Sequence, residues 1–73
     1  MEATAVGAKR LNVNGVEREV AAATLAGALQ ALDYADAVVA TALNGEFVPA
    51  RKRGETVLRE GDRVEIVAPR QGG

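Results

Sequence analysis

Leu11 and Val13 alternate with Arg10 and Asn12, the pattern of a strand with one buried face. Asn14-Gly15 follows, and both residues tolerate the positive φ of a type I′ hairpin turn. Val16 to Val20 then reads as a weaker returning strand, because Glu17, Arg18 and Glu19 are all charged. From Leu25 the period changes. Leu25, Ala28, Leu29 and Leu32 fall at i, i+3, i+4 and i+7, one apolar face of a helix. Thr24 suits the N-cap, since its hydroxyl can accept a bond from an early backbone N–H. Gly27 lies on the other side of that helix, at a cost of about 1 kcal/mol relative to alanine. The helix is expected to stop near Asp33-Tyr34.

Val38 to Leu43 is rich in β-branched residues and apolar on both sides, as in a strand inside a sheet. Asn44-Gly45 repeats the hairpin signal, and Glu46 to Val48 forms the short strand beyond it. Pro49 ends that strand by removing a ladder donor. Residues 50 to 55 read as a polar loop, Thr56 to Leu58 as a brief extended piece, and Glu60-Gly61-Asp62 as a turn with Gly61 at positive φ. Arg63 to Ala68 is the last strand.

The predicted order is β-β-α-β-β-β. One amphipathic helix packed across one face of a small mixed sheet of four to five strands makes a two-layer α+β fold. A first hairpin followed by that helix is the β-grasp arrangement, in which the C-terminal strand lies centrally, parallel to the first. Val64 and Ile66 should then face the helix, and Glu65 and Val67 should face out. The expected organisation is a disordered lead-in over residues 1–9, a folded domain over 10–69 and a flexible tail over 70–73.

Composition narrows the chemistry. A chain of 73 residues holds one domain at most. It has no Cys and no His, which excludes disulfides and zinc sites built on those ligands. A formal net charge of −1 argues against a nucleic-acid binder. The basic run Arg51-Lys52-Arg53 reads as a solvated loop. The uncharged run from Val20 to Leu32 is shorter than the roughly 20 apolar residues that span a bilayer. The N-terminal stretch has no basic region or apolar core of a secretory signal. The expectation is a cytoplasmic protein that engages neither nucleic acid nor membrane.

Serine is also absent, and the hydroxyls are those of Thr4, Thr24, Thr41, Thr56 and Tyr34, so a Ser/His or Cys/His hydrolase is excluded. Glu60 and Asp62 read as turn residues rather than an acid–base pair. The glycines match no phosphate-binding spacing. The chain is not expected to be an enzyme, to ligate a metal or to hold a cofactor stably.

The ending Pro69-Arg70-Gln71-Gly72-Gly73 carries the remaining signal. Proline leaves the ladder, and the glycines have no side chain to pack. A terminal glycine puts the carboxylate on a carbon without a side chain, and Gly72 widens the accessible backbone dihedrals. Such a tail fits a narrow active-site channel in another protein. A bare carboxylate is a poor electrophile. Transfer of AMP from ATP would make it a mixed anhydride open to a thiol, a persulfide or an amine.

The stretches LNVNGVEREV, TLAGALQAL, VATALNGEFVPAR and LREGDRVEIV, with the final GG, resemble in order and spacing the ThiS family. These are ubiquitin-like β-grasp sulfur carriers of thiamin thiazole synthesis, related to MoaD of molybdopterin synthesis. The resemblance runs from about Arg10 to Gly73. It implies that an E1-like adenylyltransferase, ThiF-like, adenylates Gly73 using ATP and magnesium. A cysteine desulfurase-derived persulfide then supplies sulfur to form a thiocarboxylate, which a ThiG-like thiazole synthase consumes. Gly72, Gln71 and Arg70 would form the recognised tail. Independently of the resemblance, the outward-facing Val67, close to the tail, is the expected partner contact. The alternatives are a MoaD-like carrier for molybdopterin synthesis, a ubiquitin-like modifier of proteins, and a plain β-grasp interaction domain with an idle tail.

Overall fold

The alternation around Leu11 becomes strand β1 (Ala8–Val13), which turns back at Asn14-Gly15 into β2 (Val16–Ala21). The computed structural model describes residues 7–69. Asn14 has φ 51° and Gly15 φ 86°, the left-handed pair that a two-residue hairpin requires. The turn fixes Val13 opposite Val16, and the ladder runs on to Ala8 opposite Ala21. β1 therefore begins before the expected Arg10. The predicted lead-in, residues 1–9, yields Ala8 and Lys9 to the sheet, because β2 continues far enough to pair with both. Lys9 Nζ also donates to the Ala22 carbonyl at 2.9 Å. Residues 1–6 lie outside the described residues.

Helix α1 spans Leu25–Ala31. Thr24 caps it as expected, its Oγ1 accepting the Gly27 N–H at 3.2 Å. At the other end the Asp33 N–H donates to the Gln30 carbonyl and the Tyr34 N–H to the Leu29 carbonyl, at 3.1 and 2.7 Å. These are the two bonds of a Schellman motif, with Asp33 at φ 72° where glycine is usual. Gly27 lies off the buried stripe, as its spacing suggested, but its side of the helix is not open. A Cβ there would sit 3.3 Å from the Ala22 Cβ, so glycine lets the helix settle against the chain that leads into it.

The second half follows the predicted order with two corrections. β3 (Ala40–Leu43) starts later than Val38. It pairs antiparallel with β5 (Arg63–Val67), Ala40 lying opposite Val67. In that register Val38 would oppose Pro69, which has no N–H to offer, so the ladder stops. Next, the expected polar loop over residues 50 to 55 is a 3-10 helix, Ala50–Glu55, following β4 (Glu46–Val48). Its Arg53 is not solvated like Arg51 and Lys52. It is half-buried, with Nε donating to Thr41 Oγ1 at 2.9 Å and Nη2 to the Val39 carbonyl at 2.6 Å. Thr56 to Leu58 is the brief extended piece expected, carrying one isolated bridge, Thr24 opposite Val57, with Leu58 buried beneath it.

The sheet order is β2-β1-β5-β3-β4, so β5 is central, parallel to β1 and antiparallel to β3. This is the α+β, ubiquitin-like β-grasp arrangement. Leu11, Val13, Val20, Val48, Val64 and Ile66 form the sheet's side of the core, and Leu25, Ala28, Leu29 and Leu58 close it from above. The one buried polar side chain among the described residues, Thr41, is satisfied: its hydroxyl donates to the Val48 carbonyl at 2.8 Å and accepts from Arg53.

Candidate functional site

The site is built on β5, the strand that leads toward the C-terminus. Its burial alternates as expected: Val64 and Ile66 are buried under the helix, while Arg63, Glu65 and Val67 face out. On the β1 side, the Asn12 N–H donates to the Asp62 carbonyl and the Asn14 N–H to the Val64 carbonyl, both at 2.9 Å. The backbone of β1 then turns away at Gly15. The Asn14 carboxamide continues the ladder, its Oδ1 accepting the Ile66 N–H at 2.8 Å and its Nδ2 donating to the Ile66 carbonyl at 3.0 Å. At the start of β5 Asn44 acts similarly. Its Oδ1 accepts the Arg63 N–H at 2.9 Å and its Nδ2 donates to Asp62 Oδ1 at 3.0 Å. Both Asn-Gly turns thus hold the central strand as well as reversing the chain.

The face away from the helix is apolar at the tail end. Ala42 pairs with Phe47 and Ala40 with Val67, so all four side chains share that face. Phe47 is 69% exposed and Val67 62% exposed, and they matter here because they adjoin other apolar surface instead of standing alone. They border an open groove of about 720 Å³, which Asn12, Asn14, Arg63 and Glu65 also line. Val67 also borders a second hollow with Val38, Val39, Ala40 and Pro69. An apolar patch with a polar rim therefore surrounds the place where the described chain ends. Away from it the same face is charged: Arg10 and Glu17 form a surface ion pair, Arg10 Nε to Glu17 Oε2, at 3.1 Å.

Of the residues singled out from sequence, Val67 stands exposed beside the end of β5, as expected. Arg70, Gln71, Gly72 and Gly73 lie outside the described residues. Phe47 was missed, though the alternation of Glu46, Phe47 and Val48 against a buried Val48 points it outward. The clamp by Asn14 carries no local signal, because its partner Ile66 is 52 residues away. Among the described residues no group of carboxylates could hold a metal ion. Among them, too, no helix is long and apolar enough to cross a membrane.

Comparison with known proteins agrees with this geometry. The chain matches the sequence model of the ThiS family over residues 11–73, through the final glycine. Its structure is similar to the crystal structure of a thiamine biosynthesis protein (ThiS) from Geobacter metallireducens. The two are 34% identical, with a TM-score of 0.73, over 88% of this chain and 99% of the other. No curated protein matches the chain.

Proposed function

The chain belongs to the ThiS family, and from that premise we propose that it is a sulfur carrier for thiamin biosynthesis that works as a protein cosubstrate. The observation that carries this reading is the family match, which extends through Gly72-Gly73. In this reading Gly73 supplies the reacting carboxylate. A ThiF-like activating enzyme transfers AMP from ATP to it, releasing pyrophosphate. The terminal sulfur of a persulfide, derived from a cysteine desulfurase, attacks the activated carbonyl and AMP leaves. Thiol cleavage of the resulting acyl disulfide frees a thiocarboxylate, which a ThiG-like thiazole synthase consumes. Gly72, Gln71 and Arg70 pass through the partner's channel. ATP and magnesium belong to the activating enzyme, not to this chain.

The fold supports a division of labour. A central strand held on both sides gives the tail a rigid origin, and the apolar face beside it offers a docking surface. Val67 is the proposed centre of that surface, flanked by Phe47. Val67→Asp should leave the fold unchanged, since the side chain is already mostly in solvent. It should raise the activating enzyme's KM for the carrier at least about tenfold, because a charge replaces an apolar contact at the middle of an interface. Steady-state kinetics on the folded variant would test this, and an unchanged KM would remove Val67 from the docking surface.

Pathway is tested by complementation. The chain should restore growth without added thiazole to a bacterium that lacks its own thiazole sulfur carrier. Rescue of a strain deficient in the molybdopterin carrier instead would assign it to the MoaD-like alternative.

A further inference from the structure

We propose that Asn14 is a positioning residue for the tail, its carboxamide serving as the last rung of the β1–β5 ladder and fixing the point from which the chain continues toward Gly73. This inference rests on the sulfur-carrier reading.

A parallel strand pair needs backbone on both sides. β1 supplies it only as far as the Asn14 N–H, which reaches the Val64 carbonyl at 2.9 Å. At Ile66 the β1 side of β5 would be bare. A carboxamide carries the groups a ladder needs, a C=O acceptor and an N–H donor side by side in one plane. Asn14 presents both to Ile66, at 2.8 and 3.0 Å. Few residues could do this. Aspartate offers acceptors only, and aliphatic side chains offer neither group. The same residue must also accept φ 51°, which suits asparagine and glycine but few others. On the opposite side the β3 ladder reaches Val67, opposite Ala40. The strand is thus held from both sides to within one residue of Val67, the side chain at the tail's origin.

The rest of the molecule provides an internal control. Asn44 makes a related clamp at the start of β5, its carboxamide holding the Arg63 N–H and the Asp62 carboxylate, at the end of the strand that leads away from the tail. A role in stability alone predicts the same consequences for both asparagines. A positioning role predicts consequences for catalysis only at Asn14.

The test uses Asn14→Gly and Asn44→Gly, each of which keeps the positive φ of its turn and deletes the carboxamide. Circular dichroism confirms folding, amide exchange at Ile66 reads the clamp, and adenylation by an E1-like activating enzyme with ATP and magnesium reads the tail. In Asn14→Gly the Ile66 amide should exchange at least about tenfold faster. Its kcat should fall about fivefold, less than the roughly 10²-fold of a rigid 1 Å misplacement because the intervening residues absorb part of the error. Its KM should stay within about twofold, since β3 and β4 still hold Val67 and Phe47. Asn44→Gly should lower Tm comparably and keep the wild-type kcat. Asn14→Asp retains the acceptor for the Ile66 N–H but sets an oxygen against the Ile66 carbonyl. Its kcat should lie between those of the wild type and Asn14→Gly, and it serves as the test should Asn14→Gly not fold. Unchanged Ile66 exchange, equal kcat for Asn14→Gly and the wild type, or equal kcat losses at Asn14 and Asn44 would each overturn the positioning role. A wild-type chain that is not adenylated at all would overturn the carrier reading, and the positioning role with it.

Discussion

Removal of Gly73 is expected to leave the fold intact and to lower the rate of C-terminal adenylation by at least about 10²-fold. The first half follows from what the residue lacks. Glycine has no side chain to bury, and Gly73 follows the end of β5 by several residues, so stability should change by less than about 0.5 kcal/mol. The second half follows from reach. Without Gly73 the carboxylate sits one residue nearer the domain, up to about 3.6 Å along an extended chain. Reacting atoms must approach to about 3–3.5 Å, and a misplacement of only 1 Å can cost about 10²-fold. Thermal melting should superimpose for the full and shortened chains, while ATP–pyrophosphate exchange with the activating enzyme should collapse for the shortened one. Equal exchange rates would place the chemistry elsewhere in the chain.

Leu25→Ala should be the most damaging single change to the fold, at about 2–5 kcal/mol. Leu25 is fully buried at the first turn of α1, where its N–H donates to the Thr56 carbonyl at 2.9 Å. It sits where the helix, the sheet and the Thr56–Leu58 segment meet, so a truncated side chain leaves a cavity that several elements would have to close together. A typical stability of about 0.05–0.15 kcal/mol per residue puts a domain of this size at roughly 4–11 kcal/mol. The substitution would remove a large share of that, and the chain has no cysteine with which a disulfide could offset the loss. Urea titration should show a midpoint lowered in proportion with the m-value unchanged. A midpoint near that of the parent would mean the core repacks around the loss.

What could be seen in the sequence was whatever is decided by neighbours. The alternation of Leu11 with Val13 and of Val64 with Ile66, the two Asn-Gly turns and the Leu25-Ala28-Leu29 stripe all act locally, and each formed the element it predicted. The position of β5 followed from these, since the hairpin–helix order leaves the last strand one sensible place. What escaped depends on distant partners. Arg53 looked like one of three solvated charges. It turns inward because β3 presents the Thr41 hydroxyl and the Val39 carbonyl to it. Val38 looked like strand, and is not, because the register brings it opposite Pro69. Asn14 looked like a turn residue only, since its second task needs Ile66 to arrive from the far end of the chain. On the functional side, Val67 could be read from alternation. Phe47 could have been read the same way, whereas the patch they form together needs the pairing of β3 with both β4 and β5.

The most direct test of the sulfur-carrier mechanism is mass spectrometry of the intact chain. The protein is incubated with a ThiF-like activating enzyme, ATP, magnesium and a persulfide donor, then reduced and weighed. The carrier mechanism requires a gain equal to the mass difference of one sulfur replacing one oxygen, with fragmentation placing it at the Gly73 carboxyl group. A chain of unchanged mass, or one modified anywhere other than that carboxyl, would contradict it.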